Sequence, residues 1–346
     1  MKEVDVSRNS VEAQMCDKSK ASLDTVTLTP KDTEGKVGKG KHIICFFGRN
    51  TPYESRWREL SSDANNLGAT VHAFNFSGMN QSTGNMLEFN DAVNCGIAQT
   101  NKLLAEGVHP DDIIFKGNCF GSAVATMVQQ EYQKAGVQIR CINTNSYTKF
   151  FDVVASAVPV IGIVIEKILQ LFNYAAWNPD ISQTQLLSSS PYFFAIDREG
   201  DKTVTQPDQI KYELQKRQDL LEKEGISKDE LKVPGFEKEQ DFLDKHSTMY
   251  LKQDSKIKDA HIAPFTDLRW KDEGGKERQA WELVGEYIDK SNNYIKQHQQ
   301  NIDPKAAVIP VCTSARIPDV SKARGLEMER IAQQLQNQIN PPKLSK

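Results

Sequence analysis

Between Lys41 and Thr144 the chain alternates short runs of consecutive apolar residues with longer amphipathic stretches, and that alternation leaves few ways to fold. The apolar runs are HIICFFG after Lys41, Thr70 to Phe76, Asp111 to Lys116 and Ile139 to Thr144. A strand apolar at nearly every position has no face for water, so it fits a sheet covered on both sides. The stretches Ser55 to Leu67, Ala92 to Glu106 and Ser122 to Ala135 are long enough for helices with one apolar stripe. Strand and helix in turn predict right-handed βαβ crossovers and an α/β chain with a doubly wound, mostly parallel sheet. Ligands of such sheets gather at the carboxyl ends of the strands.

The turn leaving the third strand reads KGNCFGSAVA from Lys116 to Ala125, a G-x-C-x-G run. Gly117 and Gly121 carry no Cβ, so the backbone can make a sharp corner and the next helix can lie close against the strand. Cys119 would then sit at a carboxyl strand end, with the amino end of a helix aimed at its sulfur. The same residue also reads as a buried structural cysteine, since free cysteine is among the most buried residue types.

With 346 residues there is room for one large α/β domain or two smaller ones, and a net charge of -3 leaves no basic footprint for nucleic acid. Cys16, Cys45, Cys95, Cys119, Cys141 and Cys312 show no C-x-x-C pairs or histidine spacing. That argues against a zinc site or a disulfide framework and for free thiols in a reducing compartment. No helix pair such as H-E-x-x-H occurs, so neither a metal nor a cofactor is expected. The opening MKEVDVSRNSVEAQ lacks the pattern of a secretory leader. The longest apolar run, Val153 to Ile165, is too short for a bilayer and is interrupted by Pro159 and Gly162, so a soluble chain is expected.

Residues 1 to 38 read as a loose polar leader with an edge hairpin that includes the alternating Leu23 to Leu28. A main domain follows over 39 to 298. Its later part holds a greasy segment at about 150–190, a strand at Pro191 to Ile196 and a charged helix at Asp208 to Lys223. An insertion at about 224–246, a short strand at Met249 to Lys252 and a helix at Arg278 to Gln297 complete it, the helix carrying Trp281, Leu283, Val284, Tyr287, Ile288 and Ile295 near one face. Residues 299 to 346 read as a C-terminal tail.

Five pieces, HIICFFGRN, HAFNFSGMNQSTG, KGNCFGS, AIDREGDKTV and DAHIAPF, together resemble the α/β-hydrolase fold over about 41–298. The G-x-C-x-G run resembles that superfamily's nucleophile elbow, with cysteine where serine is usual. The resemblance implies Cys119 as nucleophile, His261 as base and Asp201 as the acid that orients it, in the superfamily's chain order. Asp197 and His246 are the alternative acid and base. It also implies an oxyanion hole from the Phe120 N–H and the loop Gly48, Arg49, Asn50. In FNFSGMNQSTG, Ser77 and Asn80 replace a basic residue and a glycine of the superfamily's loop, so this piece speaks for the fold more than for activity.

The segment at about 150–190 lies where the superfamily inserts a helical cap. Its apolar character implies a lipid or acyl-chain substrate, with Phe172, Tyr174 and Trp177 the first side chains to test, and peripheral membrane contact through the cap. A cap helix packed on the sheet is the plainer reading. The implied activity is acyl hydrolysis, as an esterase, thioesterase or lipase-like enzyme, through a thioester acyl-enzyme. Cysteine variants of the superfamily also include dienelactone hydrolases and polymer-forming acyltransferases. An acyltransferase and a catalytically inactive binding or effector protein are the alternatives. The polar termini and the lysine- and glutamine-rich helices further resemble effector hydrolases that intracellular bacteria such as Legionella inject through a type IV system, including the lipase-like Sdb/SidB group. That implies a cytoplasmic protein, or one delivered into a host cell, with INPPKLSK fitting a C-terminal transport signal.

Overall fold

The structure is a computed structural model that describes residues 3–31, 40–48, 50–147, 149, 179, 181, 190, 192–197, 247–251, 269–271, 276–299 and 302–313. Arg49, Asp201, His246, His261, Phe172, Tyr174, Trp177, the helix expected at 208–223, the insertion at 224–246 and the last residues from 314 lie outside them, as does nearly all of 150–190.

The strands are β1 (Val4–Gln14), β2 (Lys20–Pro30), β3 (His42–Phe46), β4 (Thr70–Phe74), β5 (Ile113–Asn118), β6 (Arg140–Thr144), β7 (Tyr192–Asp197) and β8 (Ser247–Leu251). They form one sheet in the order β1-β2-β4-β3-β5-β6-β7-β8. From β4 to β8 all neighbours are parallel, while β1 and β2 form an antiparallel hairpin that joins β4 in antiparallel sense. A small antiparallel pair, β9 (Arg269–Lys271) with β10 (Glu277–Gln279), leads into the last described helix.

The helices are α1 (Trp57–Leu67), α2 (Phe89–Ala105), α3 (Phe120–Lys134) and α4 (Ala280–His298). Successive β3 side chains serve opposite faces: Ile44 and Phe46 pack with α2 and α3, whereas Ile43 and Cys45 pack with α1 and α4. This two-sided burial is what makes HIICF continuously apolar. Ala280, Val284, Tyr287 and Ile288 are the α4 residues buried against the second face. Lys116, next to the G-x-C-x-G run in sequence, belongs to this α1 side too, donating to Glu59 Oε1 at 2.9 Å and to Asp63.

The helix after β3 goes to one face and the helix after β5 to the other, although the two strands are neighbours. Their outgoing loops therefore part over the carboxyl edge, the switch point at which open α/β sheets hold ligands.

Two polar regions are more ordered than their composition suggests. β2, which contains Leu23 to Leu28, is an interior strand with Leu23, Val26 and Leu28 buried, and the sheet edge is β1. Beyond α4, residues 302–313 run along α2. Asn101 clasps Ile309, donating to its carbonyl (2.8 Å) and accepting its N–H (3.1 Å), and Asn94 clasps Cys312 in the same way (3.0 and 2.7 Å). Among the described residues no helix is long and apolar enough to cross a membrane.

Candidate active site

Cys119 joins β5 to α3 with φ 52 and ψ -119, a conformation L-residues rarely adopt and one that costs about 1–3 kcal/mol. The two glycines make the corner possible. A Cβ on Gly121 would lie 2.1 Å from the Phe46 carbonyl oxygen, and one on Gly117 would lie 2.4 Å from Ser122 Cα. No side chain fits at either position without moving the backbone.

The corner is held by the end of β6. The Cys119 N–H donates to the Thr144 carbonyl at 3.0 Å, and Ser122 Oγ donates to the same carbonyl at 2.9 Å while accepting the Thr144 N–H at 3.0 Å. Thr144 Oγ1 in turn donates to the Gly117 carbonyl at 2.7 Å and accepts from Asn118 Nδ2 at 3.2 Å. The helix starts at Phe120, two residues before the expected Ser122, so Cys119 itself occupies the N-cap position. Its carbonyl accepts the N–H groups of Ser122 (3.0 Å) and Ala123 (3.3 Å). Phe120 opens the helix, where a backbone N–H has no intrahelical acceptor.

The loop after β3 forms the facing wall. A Cβ on Gly48 would come within 3.7 Å of Cys119 Cβ, so the bare backbone at this position approaches the thiol-bearing residue closely. Asn50, in the same loop, is exposed with φ 59, a conformation asparagine tolerates. The loop is anchored just beyond by Tyr53, whose N–H donates to Asn75 Oδ1 (3.0 Å) and whose hydroxyl donates to Asp24 Oδ2 (2.9 Å). Arg8 grips the same Asp24 carboxylate with Nε and Nη2 at 2.8 and 2.7 Å. The bonds from Arg8, with those from Tyr53 and Asn75, hold the Asp24 carboxyl below its usual range against the opposing effect of burial.

Cys119, Phe120 and Gly48 are thus brought together, with Asn50 in the adjoining loop. Asp197 ends β7, two strands along from β5 at the same carboxyl edge. Asp201 and His261 lie outside the described residues, as do Arg49 and His246.

Of the six cysteines, Cys119 is the one whose backbone has a positive φ. Cys45, Cys95 and Cys141 are buried in regular strands and helices, whereas Cys16, Cys119 and Cys312 are partly exposed. Burial pushes Cys95, Cys141 and Cys312 up to about 12. It raises Cys45 and Cys16 as well, the latter with help from the charges of Asp91 and Glu88.

Cys16, Glu88 and Asp91 form a group that sequence reading missed, with ligand atoms within 4.8 Å of one another. Its donors are already engaged. Asp91 accepts the N–H groups of Cys16 (2.9 Å), Leu87 (2.8 Å) and Glu88 (3.0 Å), and Glu88 completes a capping box at the start of α2. The group is a helix cap that also secures the β1–β2 turn. Cys16 lies 75 residues from Asp91 in sequence, which is why spacing gave no hint of the group.

No protein-family model matches the chain, and no curated protein sequence matches it. Solved structures do. The esterase Pf2001 of Pyrococcus furiosus shares 13% identity over 84% of this chain and 90% of its own, with a TM-score of 0.48. An esterase from the archaeon Pyrobaculum calidifontis shares 13% over 82% and 85%, with a TM-score of 0.48. The alpha-beta hydrolase (ABH) from Vibrio vulnificus shares 13% over 82% of this chain and 79% of its own, with a TM-score of 0.50. Together with the strand order and the two-sided helical cover, that last likeness identifies the architecture: the chain has the α/β-hydrolase fold.

Proposed function

We propose that the protein is an acyl hydrolase of the esterase, thioesterase or lipase type, in which Cys119 attacks the acyl carbonyl, His261 is its base and Asp201 orients His261. The observation that carries this reading is the Cys119 corner, strained, hinged by two glycines and placed at the switch point beside Gly48. A cysteine that only fills a core needs no such backbone, and Cys45, Cys95 and Cys141 have none. The fold shared with the Vibrio vulnificus hydrolase supports hydrolysis as the reaction class.

Chain connectivity favours His261 over His246. His246 directly precedes Ser247, the amino end of β8, whereas His261 follows Leu251, its carboxyl end. The five residues of β8 separate those ends by ~16 Å, and only the carboxyl end shares an edge with Cys119. Asp201 follows Asp197, the carboxyl end of β7, by four residues in the chain.

His261 takes the thiol proton as Sγ adds to the carbonyl carbon, and the oxyanion is met by the Phe120 N–H and by the loop of Gly48, Arg49 and Asn50. Collapse expels the alcohol or thiol leaving group, which receives the proton from the imidazolium, and leaves a thioester on Cys119. Water then gives a proton to His261, adds to the thioester carbonyl and displaces the thiolate, which recovers that proton as the acid product departs. The apolar segment at about 150–190 fits an acyl-chain substrate.

Timed alkylation with iodoacetamide followed by peptide mass spectrometry tests the nucleophile. Cys119 should be modified at least about tenfold faster than the other five thiols. Turnover of p-nitrophenyl esters and acyl thioesters of graded chain length should be lost in step with that modification. Even labelling across the six cysteines, with no turnover, would overturn the reading.

A further inference from the structure

β1 bounds the sheet, and among the described residues no strand pairs with its outer edge. It runs for 11 residues in unbroken register with β2, presenting ~37 Å of backbone donors and acceptors. Natural edge strands are commonly guarded by proline, a bulge or charged side chains; VDVSRNSVEAQ has no proline and no bulge, and its charges are Asp5, Arg8 and Glu12. The side chains along it are accessible: Val6 is 49% exposed, and the side chains of Arg8 and Glu12 are 55% and 67% exposed.

We propose that this edge pairs antiparallel with β1 of a second copy of the chain, about a two-fold axis at Ser10, so that two sheets become one. The sequence is self-complementary in that register. With Ser10 opposite Ser10, Arg8 of each copy faces the partner's Glu12, and symmetry makes the pair twice. Val6 then faces the partner's Gln14, Ser7 faces the partner's Ala13 and Asn9 faces the partner's Val11, so no like charges meet. An axis at Asn9 pairs no charges, and one at Arg8 sets two guanidinium groups against each other. Arg8 is held at the edge by Asp24, which fixes its charge where the partner's Glu12 arrives. A two-fold contact also closes on itself, which suits an isolated dimer and not a fibre.

Light scattering and sedimentation across a wide range of protein concentration should show a dimer. Glu12→Lys replaces both attractive pairs with repulsive ones and also removes the ion pair that Glu12 makes with Lys20 of its own copy (2.8 Å). It should weaken the dimer by about tenfold or more with the circular dichroism spectrum unchanged, whereas Lys20→Met, which removes only the internal pair, should leave the dimer intact. Ser10→Cys supplies a check that does not depend on charge. Opposed Cα atoms in an antiparallel pair lie about 4.5–5.5 Å apart, within disulfide range, so oxidised glutathione should link the two copies of this variant. Ser7→Cys should not link. A monomer at every concentration, an open-ended polymer, or a dimer indifferent to Glu12→Lys and unlinked by Ser10→Cys would each overturn the proposal. None of these outcomes bears on Cys119 chemistry.

Discussion

The two ends of the same parallel strands are built to opposite specifications. At the amino edge, polar and charged side chains are buried or half-buried and tied to their neighbours by hydrogen bonds. Arg140, with no exposed surface, donates to Ser291 Oγ (2.7 Å), Asn292 Oδ1 (2.5 Å) and the Asp111 carbonyl. Lys41 donates to the Asp111 carbonyl at 3.0 Å and to Asp112 Oδ1 at 2.8 Å. His42 and His72 share a 3.0 Å contact between Nδ1 and Nε2, and Thr27 Oγ1 closes the row 3.2 Å from His72 Nδ1. At the carboxyl edge the Cys119 corner keeps its strain and part of its exposure. One edge fastens the layers together, and the other tolerates strain so that a thiol stands clear of the backbone.

If that division holds, changes at the carboxyl edge should spoil turnover and changes at the amino edge should spoil stability. The largest effect belongs to Cys119→Ala, which should lower kcat/KM by ~10³-fold or more while the protein melts no earlier than the parent. His261→Ala should match it and His246→Ala should not. Equal losses in the two histidine variants would break the connectivity argument. Next is Gly121→Ala, whose Cβ would lie 2.1 Å from the Phe46 carbonyl oxygen and force the backbone apart. Urea unfolding should record a loss of about 4 kcal/mol, and residual activity should fall with it.

At the other edge, Arg140→Met leaves acceptors on Ser291, Asn292 and Asp111 without their donor. The cost should be about 2–3 kcal/mol by urea unfolding, with kcat unchanged at temperatures where the variant stays folded. A fall in kcat without a fall in stability would erase the contrast.

The smallest effect is a pH slope. Burial, with the nearby His42, lowers His72 from 6.5 to about 3, and burial also lowers His42. The unfolded chain therefore binds more protons in acid, so the histidines' contribution is complete above about pH 6.5 and shrinks as the pH falls. His72 alone should remove about 2 kcal/mol between pH 6.5 and about pH 5, and His72→Gln should flatten that limb.

Sequence patterning revealed most where burial is two-sided. HIICF and its parallel neighbours could be read from continuous hydrophobicity, and the corner from its glycines. β1 gave no such signal, because an edge strand with both faces largely in water carries no apolar alternation, and only its register with β2 makes it a strand. The start of α3 was misplaced because Cys119 occupies the N-cap without a side-chain cap bond, leaving no Ser, Thr or Asp to mark the boundary. The five-piece resemblance set Cys119, Asp201 and His261 in order along the chain, and of these the described residues include Cys119 alone. Asn94 and Asn101 could not be assigned a task from sequence, since their partners lie 218 and 208 residues away.

Those two asparagines have a consequence for how the chain tolerates change. Each grips a main-chain amide and carbonyl at Ile309 or Cys312, so what α2 reads in this segment is spacing and not side-chain identity. Many replacements between the two clasps can drift with little penalty. Adding or deleting a single residue there would throw one clasp out of phase, so the segment behaves as a ruler whose length is under tighter constraint than its letters.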